Sequence, residues 1–259
     1  MSGAQNRLRS LAFDGIARSD LESARFGVEF GRLDVAAVPP GALAEAVATA
    51  DAEGLQVLSA RVDTTDLERA RALEDVGFRI MDTLVYYRRD LSSTSVEAPE
   101  ADFERPTDLT SADAEACSSI ARRAFRGYVG HYHIDPRLSD DAADEAYADW
   151  IARLLLGATA GQIAVGSAKH GKLVGFLVGQ RREPGTSEII LNAVSPDVQR
   201  NGTYTALLRD YLHRVRHRGD GEVVISTQLQ NYPVQRVWAR AGFTLFRSYH
   251  TLHRWAAAS

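Results

Sequence analysis

The sequence predicts an α/β protein, because strand patterns and helical patterns alternate along most of its 259 residues. The apolar run from Glu188 to Val194 is typical of a buried strand, and a helical pattern of apolar residues follows it. Two earlier strand patterns, 162–167 and 172–180, are joined at His170-Gly171 as in a hairpin. Residues 222–228 form another strand pattern, which precedes a last helix and two closing strands.

The connection after Val194 is the first candidate for a binding site. A Ser-Pro turn and a polar loop around Gly202 lead into the next helix. Such a helix start presents free backbone N–H groups and positive dipole charge to an anion, and glycine permits close approach. The loop has neither Gly-Lys-Ser/Thr nor Gly-x-Gly-x-x-Gly, which excludes a P-loop and the dinucleotide fingerprint. An ordinary strand-turn-helix connection is the alternative interpretation.

Composition excludes several classes of protein. The net charge of −4 gives no nucleic-acid footprint, and the single cysteine, Cys117, excludes a disulfide framework and fits a reducing compartment. Cys117 lies on the apolar face of a helical pattern, so we expect a core thiol. The N-terminus lacks an apolar signal core, and no apolar run has transmembrane length. We therefore expect a cytoplasmic protein that acts on neither nucleic acid nor membrane.

The chain is predicted to contain two domains, residues 1–98 and residues 99–259, separated by the polar linker Ser92–Pro99. The N-terminal half repeats a pattern of the C-terminal half. Asp66, a helix and Gly77-Phe78 have the same spacing as Asn231, a helix and Gly242-Phe243. Chance similarity is the alternative. The N-terminal half lacks a counterpart of the glycine loop, so we expect a scaffold, or one wall of a cleft, that binds no cofactor.

Residues 125–137 are unusually rich in aromatic residues, histidine and glycine for a connecting segment. We expect a loop that contacts a substrate, and a solvated loop with aromatic anchors is the alternative. The two histidines alone are a weak indication of metal, so no metal is expected. The candidate substrate-binding residues are Phe125, Arg126, Tyr128, His131, Tyr132 and His133.

The loop Gln199-x-x-Gly202-x-Tyr204 resembles the Gln/Arg-x-x-Gly-x-Gly/Ala loop of GNAT-superfamily N-acetyltransferases, from which Tyr204 departs. Three further stretches together resemble the dTDP-fucosamine (4-amino-4,6-dideoxy-sugar) acetyltransferase subgroup. They are Arg25-Phe-Gly-Val, then His133-x-Asp-Pro-Arg with Tyr147-x-x-Trp150-Ile151, and Thr227-Gln228-x-x-Asn231 through Gly242-Phe243. This resemblance runs from about residue 20 to the C-terminus.

The resemblance implies a GNAT acetyltransferase fold with a mixed, partly splayed sheet, preceded by a smaller, degenerate GNAT-like N-terminal domain. Acetyl-CoA, the co-substrate, would enter the splay, and the backbone at Ala193 and Val194 would pair with its pantetheine arm. Asn231 would contact the same arm. The backbone N–H groups that would hold the pyrophosphate belong to Gln199, Arg200, Asn201, Gly202, Thr203 and Tyr204.

Relatives carry a tyrosine seven residues after the asparagine, which protonates the departing thiolate, whereas this chain has Trp238. Indole N–H donates a hydrogen bond but does not give up its proton near neutral pH, and core packing is the alternative role of Trp238. Asn231, also a catalytic candidate, Tyr232 or water would then assist the departing thiolate. Glu188 is the candidate base, and a surface carboxylate is its alternative. Period-2 spacing predicts that Asn192, a further catalytic candidate, shares its face of the strand.

We therefore expect direct attack by a primary amine on acetyl-CoA in a ternary complex. The acceptor would be a small molecule, either an amino sugar linked to a nucleotide or a natural-product amine. A non-catalytic acetyl-CoA sensor is the alternative, favoured by Trp238 and Tyr204. The sequence leaves the oligomeric state open, with a homodimer as one alternative.

Overall fold

The structure is a computed structural model that describes residues 8–10, 15–92, 106–199 and 201–257. No helix in these ranges is both long and apolar enough to cross a membrane. The helices are α1 (Asp20–Phe26), α2 (Leu43–Ala52), α3 (Leu67–Asp75), α4 (Ala114–Ala124), α5 (His131–Ile134), α6 (Asp140–Leu156), α7 (Thr203–His217) and α8 (Tyr232–Arg240). The strands are β1 (Leu8–Ser10), β2 (Ile16–Ser19), β3 (Phe30–Leu33), β4 (Val57–Asp63), β5 (Arg79–Asp90), β6 (Thr107–Asp108), β7 (Gln162–Lys169), β8 (Lys172–Glu183), β9 (Thr186–Val194), β10 (Glu222–Gln228) and β11 (Thr244–Trp255).

The chain divides into two compact units that are interleaved in sequence. Unit 1 contains Tyr86–Tyr128 and Asp144–Phe246, and unit 2 contains Ser2–Val85, Val129–Ala143 and Arg247–Ser259. The predicted linker lies outside the described residues apart from Ser92. The division of the chain at residue 98 therefore stays a prediction.

Unit 1 is built on a mixed sheet in the strand order β5-β10-β9-β8-β7-β6. β9 pairs parallel with β10, while β7, β8 and β9 pair antiparallel. The predicted hairpin between β7 and β8 turns at His170 and Gly171, with φ of +53° and +73°, as a two-residue hairpin turn requires. Each sheet face buries its own apolar cluster, one with α7 and α8 and the other with α4 and α6.

Unit 2 has the strand order β1-β2-β3-β4-β11-β5, in which β3 and β4 are parallel. Leu58, Ala60, Val62 and Leu252 lie on the face that α2 and α3 cover. The opposite face carries Phe30, Val57 and Trp255, against which Leu138 and Tyr132 pack. Both faces of this sheet are therefore partly covered, and each uses alternate residues of the same strands.

The repeat predicted from the sequence is visible in local structure. α3 and α8 each have nine residues, and each is followed by a left-handed glycine, Gly77 or Gly242, before the next strand. Two details differ from expectation. The two closing strands are one continuous strand, β11. Nothing in the sequence analysis predicted the helix Asp20–Phe26, which ends at Gly27 (φ +67°).

Gly179 of β8 lies in close contact with Tyr211. A Cβ at this position would lie 2.0 Å from the Tyr211 hydroxyl oxygen and 2.6 Å from the carbonyl oxygen of Glu188. Because a strand backbone cannot yield, we expect Gly179→Ala to lower the free energy of unfolding by about 1–3 kcal/mol. Chemical denaturation measures this change. Gly221→Ala is the matched control, since no atom lies within 4 Å of its added Cβ, and equal losses in both variants would contradict the packing argument.

Candidate functional site

Strand β9 contains one residue that has no partner on β8. The register pairs Leu191 with Val178 and then Ile189 with Gly179, so Ile190 is left out of the ladder. Such a bulge bends its strand and shifts the alternation of side chains. Ile189 accordingly packs with the α7 and α8 cluster, whereas Leu191 packs with the α4 and α6 cluster.

This shift places two predicted catalytic residues on opposite faces. Asn192 is paired with Leu177, which lies in the cluster of α7 and α8. Glu188 is paired with Gln180. Gln180 lies two residues from Val178 on the same strand, so both point to the face that packs against α4 and α6. The expectation that Glu188 and Asn192 share a face is wrong, because uninterrupted period-2 spacing does not hold across the bulge. The Glu188 carboxylate instead accepts a 2.5 Å hydrogen bond from Arg182 Nε.

β9 and β10 separate at the same place. Their parallel register runs only from Thr186 paired with Glu222 to Ile189 paired with Ile225. β9 continues to Val194 and β10 to Gln228 without further pairs in that register. The residues of β9 after the bulge, which include the predicted pantetheine-binding Ala193 and Val194, thus bond to β8 on one side only. The other side is a strand edge open to an extended ligand.

The predicted anion loop follows this edge directly. A 3-10 turn, Pro196–Val198, leads to Gly202 (φ +78°), and α7 begins at Thr203 without a side-chain cap. The first N–H groups of α7 therefore have no acceptor in their own helix or from a capping side chain. Asn201 is exposed, Gln199 Nε2 lies 3.5 Å from the Val194 carbonyl oxygen, and Arg200 lies outside the described residues.

Arg123 holds the turn in place, a role that the sequence analysis missed. Its guanidinium donates to Ser195 Oγ and, at 2.7 Å, to the Asp197 carboxylate. The Ser195 backbone N–H also donates to the Val174 carbonyl, 2.8 Å away. These contacts fix the start of the loop, and only the basic end of α4 could have indicated them.

Tyr204 and Trp238, the two departures from the family pattern, contact each other. Trp238 Nε1–H donates a 2.7 Å hydrogen bond to the Tyr204 hydroxyl oxygen. Trp238 is fully buried, and its ring meets that of Tyr87 edge-on with centroids 5.4 Å apart. Burial raises the pKa of the Tyr204 phenol, so the hydroxyl keeps its proton, for which the described residues offer no acceptor.

Aromatic residues line the end of β10 in unit 1. Phe125 stacks on Tyr147 with centroids 4.0 Å apart, and Tyr128 meets both rings edge-on. The Tyr128 hydroxyl lies 3.2 Å from Thr227 Oγ1 and also donates to the Gln228 side chain. Asn231 Nδ2 donates to the same Thr227 oxygen at 3.0 Å. The predicted Asn231, Phe125 and Tyr128 therefore lie in one cluster, whereas Arg126 is exposed.

The other half of the predicted substrate loop belongs to unit 2 and forms the short helix α5. The Tyr132 hydroxyl donates to the Glu22 carboxylate at 2.9 Å, and its ring packs on Phe26 with centroids 4.9 Å apart. Glu22 is also paired with Arg32. Tyr132 is therefore an anchor, as the alternative interpretation proposed. His133 Nδ1 accepts from the Gly130 backbone N–H.

A second chain of contacts in unit 2 leads to His131. Although burial alone would raise the pKa of the Asp135 carboxyl, hydrogen bonds from His253, Trp255 and the Arg137 backbone N–H lower it. Asp135 Oδ2 lies 2.9 Å from His253 Nδ1 and 2.8 Å from Trp255 Nε1. His253 Nε2 in turn lies 2.9 Å from His131 Nδ1.

The ionised carboxylate fixes the direction of these hydrogen bonds. A carboxylate only accepts, so His253 carries a hydrogen on Nδ1 and donates it to Asp135. Burial, followed by the charges of His253, Arg61 and Arg32, lowers the pKa of His131 well below 6.5, which keeps the imidazole neutral. In the described part of the chain, no three His, Cys, Asp or Glu side chains are arranged to hold a metal ion.

The comparisons with known proteins agree with this geometry. Residues 115–243 match the sequence profile of the acetyltransferase (GNAT) family. The spore coat polysaccharide biosynthesis protein SpsD of Bacillus subtilis (strain 168) is 34% identical over 146 residues, which cover 55% of this chain and 48% of that relative. The match thus spans about half of the relative's length.

Solved structures share the fold. A GCN5-related N-acetyltransferase from Sphaerobacter thermophilus gives a TM-score of 0.59 at 17% identity, with 93% of this chain and 76% of that chain covered. A tandem GNAT protein from the clavulanic acid biosynthesis pathway gives 0.64 at 16% identity, with 90% and 77% covered. The predicted fold class, a mixed α/β GNAT fold with a GNAT-like N-terminal part, is confirmed.

The Trp238–Tyr204 hydrogen bond can be tested by stability measurements. Tyr204→Phe leaves a buried indole N–H without an acceptor, which we expect to cost about 1–3 kcal/mol in the free energy of unfolding. In a Trp238→Phe background the same substitution should cost clearly less, because no donor is left unpaired. Urea denaturation of the four proteins of this cycle measures the coupling. Equal costs in both backgrounds would show that the contact does not contribute.

His131 should make the protein sensitive to acid. Its pKa is lowered in the folded state, so below about pH 6.5 the unfolded chain binds more protons and acidification favours unfolding. His131→Phe removes this proton. Between pH 7 and pH 5 the stability of the variant relative to the native protein should therefore improve, by at most about 1.4 kcal/mol per pH unit. Denaturation at a series of pH values checks this, and parallel curves would argue against it.

Proposed function

Residues 115–243 form an acetyltransferase domain of the GNAT family, and we propose that the protein transfers the acetyl group of acetyl-CoA to a primary amine of a small molecule. The observation that carries this proposal is the separation of β9 and β10 next to an uncapped helix start. A relative named for polysaccharide biosynthesis supports an amino sugar as the acceptor over other natural-product amines. A cytoplasmic location and a homodimer stay predictions.

The groups at this place fit the chemistry of the acetyl donor, which the GNAT family uses as its acyl source. The pantetheine arm is extended and carries amides, so it matches the free edge of β9 at Ala193 and Val194. The pyrophosphate is an anion, and the N–H groups at the start of α7 with Gly202 match it. We place Gln199, Arg200 and Asn201 in the same loop contact and Asn231 beside the arm, near Thr227.

The acetyl group would pass directly to the amine. Cys117 is fully buried, and burial raises the pKa of its thiol to about 12, so it does not serve as a nucleophile. The protein would act mainly by aligning the amine with the thioester and by excluding water. Glu188 remains the candidate to take the amine proton, for which its contact with Arg182 must open. Asn192, on the opposite face, is then a separate contact.

Departure of the thiolate needs only weak assistance, since the pKa of a thiol is about 8.5. The indole N–H of Trp238 is engaged by the Tyr204 hydroxyl. That hydroxyl accepts one hydrogen bond and retains its own hydrogen, which makes it a stronger donor. We therefore favour Tyr204, held by Trp238, over Trp238 itself as the group that faces the leaving sulfur.

Binding of the donor can be separated from catalysis by charge substitution. Asn201→Glu places a carboxylate in the proposed pyrophosphate loop, so repulsion should weaken CoA binding about tenfold or more, equivalent to about 1.4 kcal/mol. Isothermal titration calorimetry measures the dissociation constant. Ala158→Glu adds the same charge at an exposed loop position of unit 1 and should bind CoA like the native protein. Equal CoA binding by both variants would contradict the proposal that this loop is part of the CoA site.

Release of free thiol on a panel of amino-sugar nucleotides, free amino sugars and simple amines tests the activity. Turnover with one class identifies the acceptor. Tight CoA binding with no turnover on any amine would instead favour the non-catalytic acetyl-CoA sensor. The absence of a tyrosine at position 238 supports that alternative. Absence of CoA binding would overturn both the acetyltransferase and the sensor.

A further inference from the structure

The turn between β9 and the proposed pyrophosphate loop carries a carboxylate that is paired with a guanidinium of α4. Arg123, in the last turn of α4, donates through Nη2 to the Asp197 carboxylate at 2.7 Å and to Ser195 Oγ. Ser195 Oγ lies 3.2 Å from the same carboxylate oxygen. Because arginine only donates and a carboxylate only accepts, the Ser195 hydroxyl accepts from Arg123 and donates to Asp197. The three side chains therefore satisfy one another.

The pair between Arg123 and Asp197 adds little to the stability of the fold. The two side chains are 42% and 74% exposed, and ion pairs so accessible to water are weak. Ser195 is 3% exposed, and its backbone N–H donates to the Val174 carbonyl of β8 at 2.8 Å. Removal of the guanidinium should therefore leave the protein folded, and its main effect should be on the charge of the turn.

The charge of Asp197 lies close in the chain to the residues that would hold an anion. Successive Cα atoms are about 3.8 Å apart, so the Cα atoms of Asp197 and Gln199 are separated by at most about 7.6 Å. Salt at 0.1 M screens charges only beyond about 10 Å. An unpaired carboxylate here would repel an anion at the start of the loop. Among the described residues, Arg123 is the only cation that forms an ion pair with Asp197.

We propose that Arg123 is a positioning residue of the donor site, which neutralises Asp197 and so keeps the loop after β9 attractive to the diphosphate of CoA. This inference rests on the proposed function, because it concerns the same loop. The charge of Arg123 acts through Asp197, while the bond to Ser195 holds the guanidinium against the turn. Arg123 lies 72 residues before Ser195, so it is not part of the loop pattern.

Isothermal titration calorimetry of the full chain with CoA at low ionic strength tests this role. Arg123→Ala should raise the dissociation constant about threefold to tenfold, because Asp197 is then unpaired. Asp197→Asn should lower it by about twofold or more, since a negative charge is lost and Arg123 is left unpaired. In the double variant the two effects oppose each other, so the dissociation constant should return to within about twofold of the native value.

Arg122→Ala is the matched control. Arg122 is the neighbour of Arg123 in α4 and is 44% exposed, but it pairs with Glu145 and not with the turn. Both alanine variants lose one positive charge and one ion pair from the same end of the helix. Arg122→Ala should therefore bind CoA like the native protein.

Salt separates the effect of charge from a change in the shape of the loop. The ratio of the dissociation constants of Arg123→Ala and the native protein should fall toward one as the salt concentration approaches 1 M, where the screening length is about 3 Å. A loop that had lost its shape would bind CoA weakly at every salt concentration, and Asp197→Asn would not rescue it.

The proposal is overturned if Arg123→Ala binds CoA as tightly as Arg122→Ala, if Asp197→Asn fails to bind more tightly than the native protein, or if the double variant keeps the full loss. If melting curves show that Arg123→Ala does not fold, Asp197→Asn alone decides the result. In each of these cases the native protein still binds CoA, so the proposed acetyltransferase stands. Failure of the native protein to bind CoA would overturn the proposed function and this inference together.

Discussion

One additional residue in β9 determines the geometry of unit 1. Because β8 offers no partner for Ile190, the side chains beyond it exchange faces, and the parallel ladder to β10 ends at the pair Ile189–Ile225. The main chain at Ala193 therefore keeps one edge free just before the loop and the start of α7. A regular ladder would bond that edge to β10, and no main chain would be left for an extended ligand.

Features that act over a few residues could be predicted from the sequence. The last helix starts at Tyr232-Pro233, since proline is suited to a first turn. The hairpin at His170-Gly171 follows from its turn residues. The strand, glycine loop and helix of the candidate site also lie within one short stretch, so their order was predictable although their separation from β10 was not.

Contacts between distant residues could not be predicted in the same way. Nothing in the run Ile189-Ile190-Leu191 indicates which residue bulges, because all three are apolar and suit a strand equally well. The sequence shows that Trp238 departs from the family pattern, but only the structure shows that it donates a hydrogen bond to Tyr204. The sequence indicates His131 only because it lies in a segment rich in aromatic residues, histidine and glycine. The orientation of its ring depends on His253, at the other end of the chain.

Two buried carboxylates of unit 2 differ in the partners that the fold gives them. Glu22 is 1% exposed and is satisfied by Arg32 and the Tyr132 hydroxyl. Asp82 is buried almost as fully, with no such partners in the described part of the chain. A fold that needed only support could place an apolar residue at position 82 at lower cost. Asp82 therefore lowers the stability of the folded chain, whereas the charge of Glu22 is balanced by its partners.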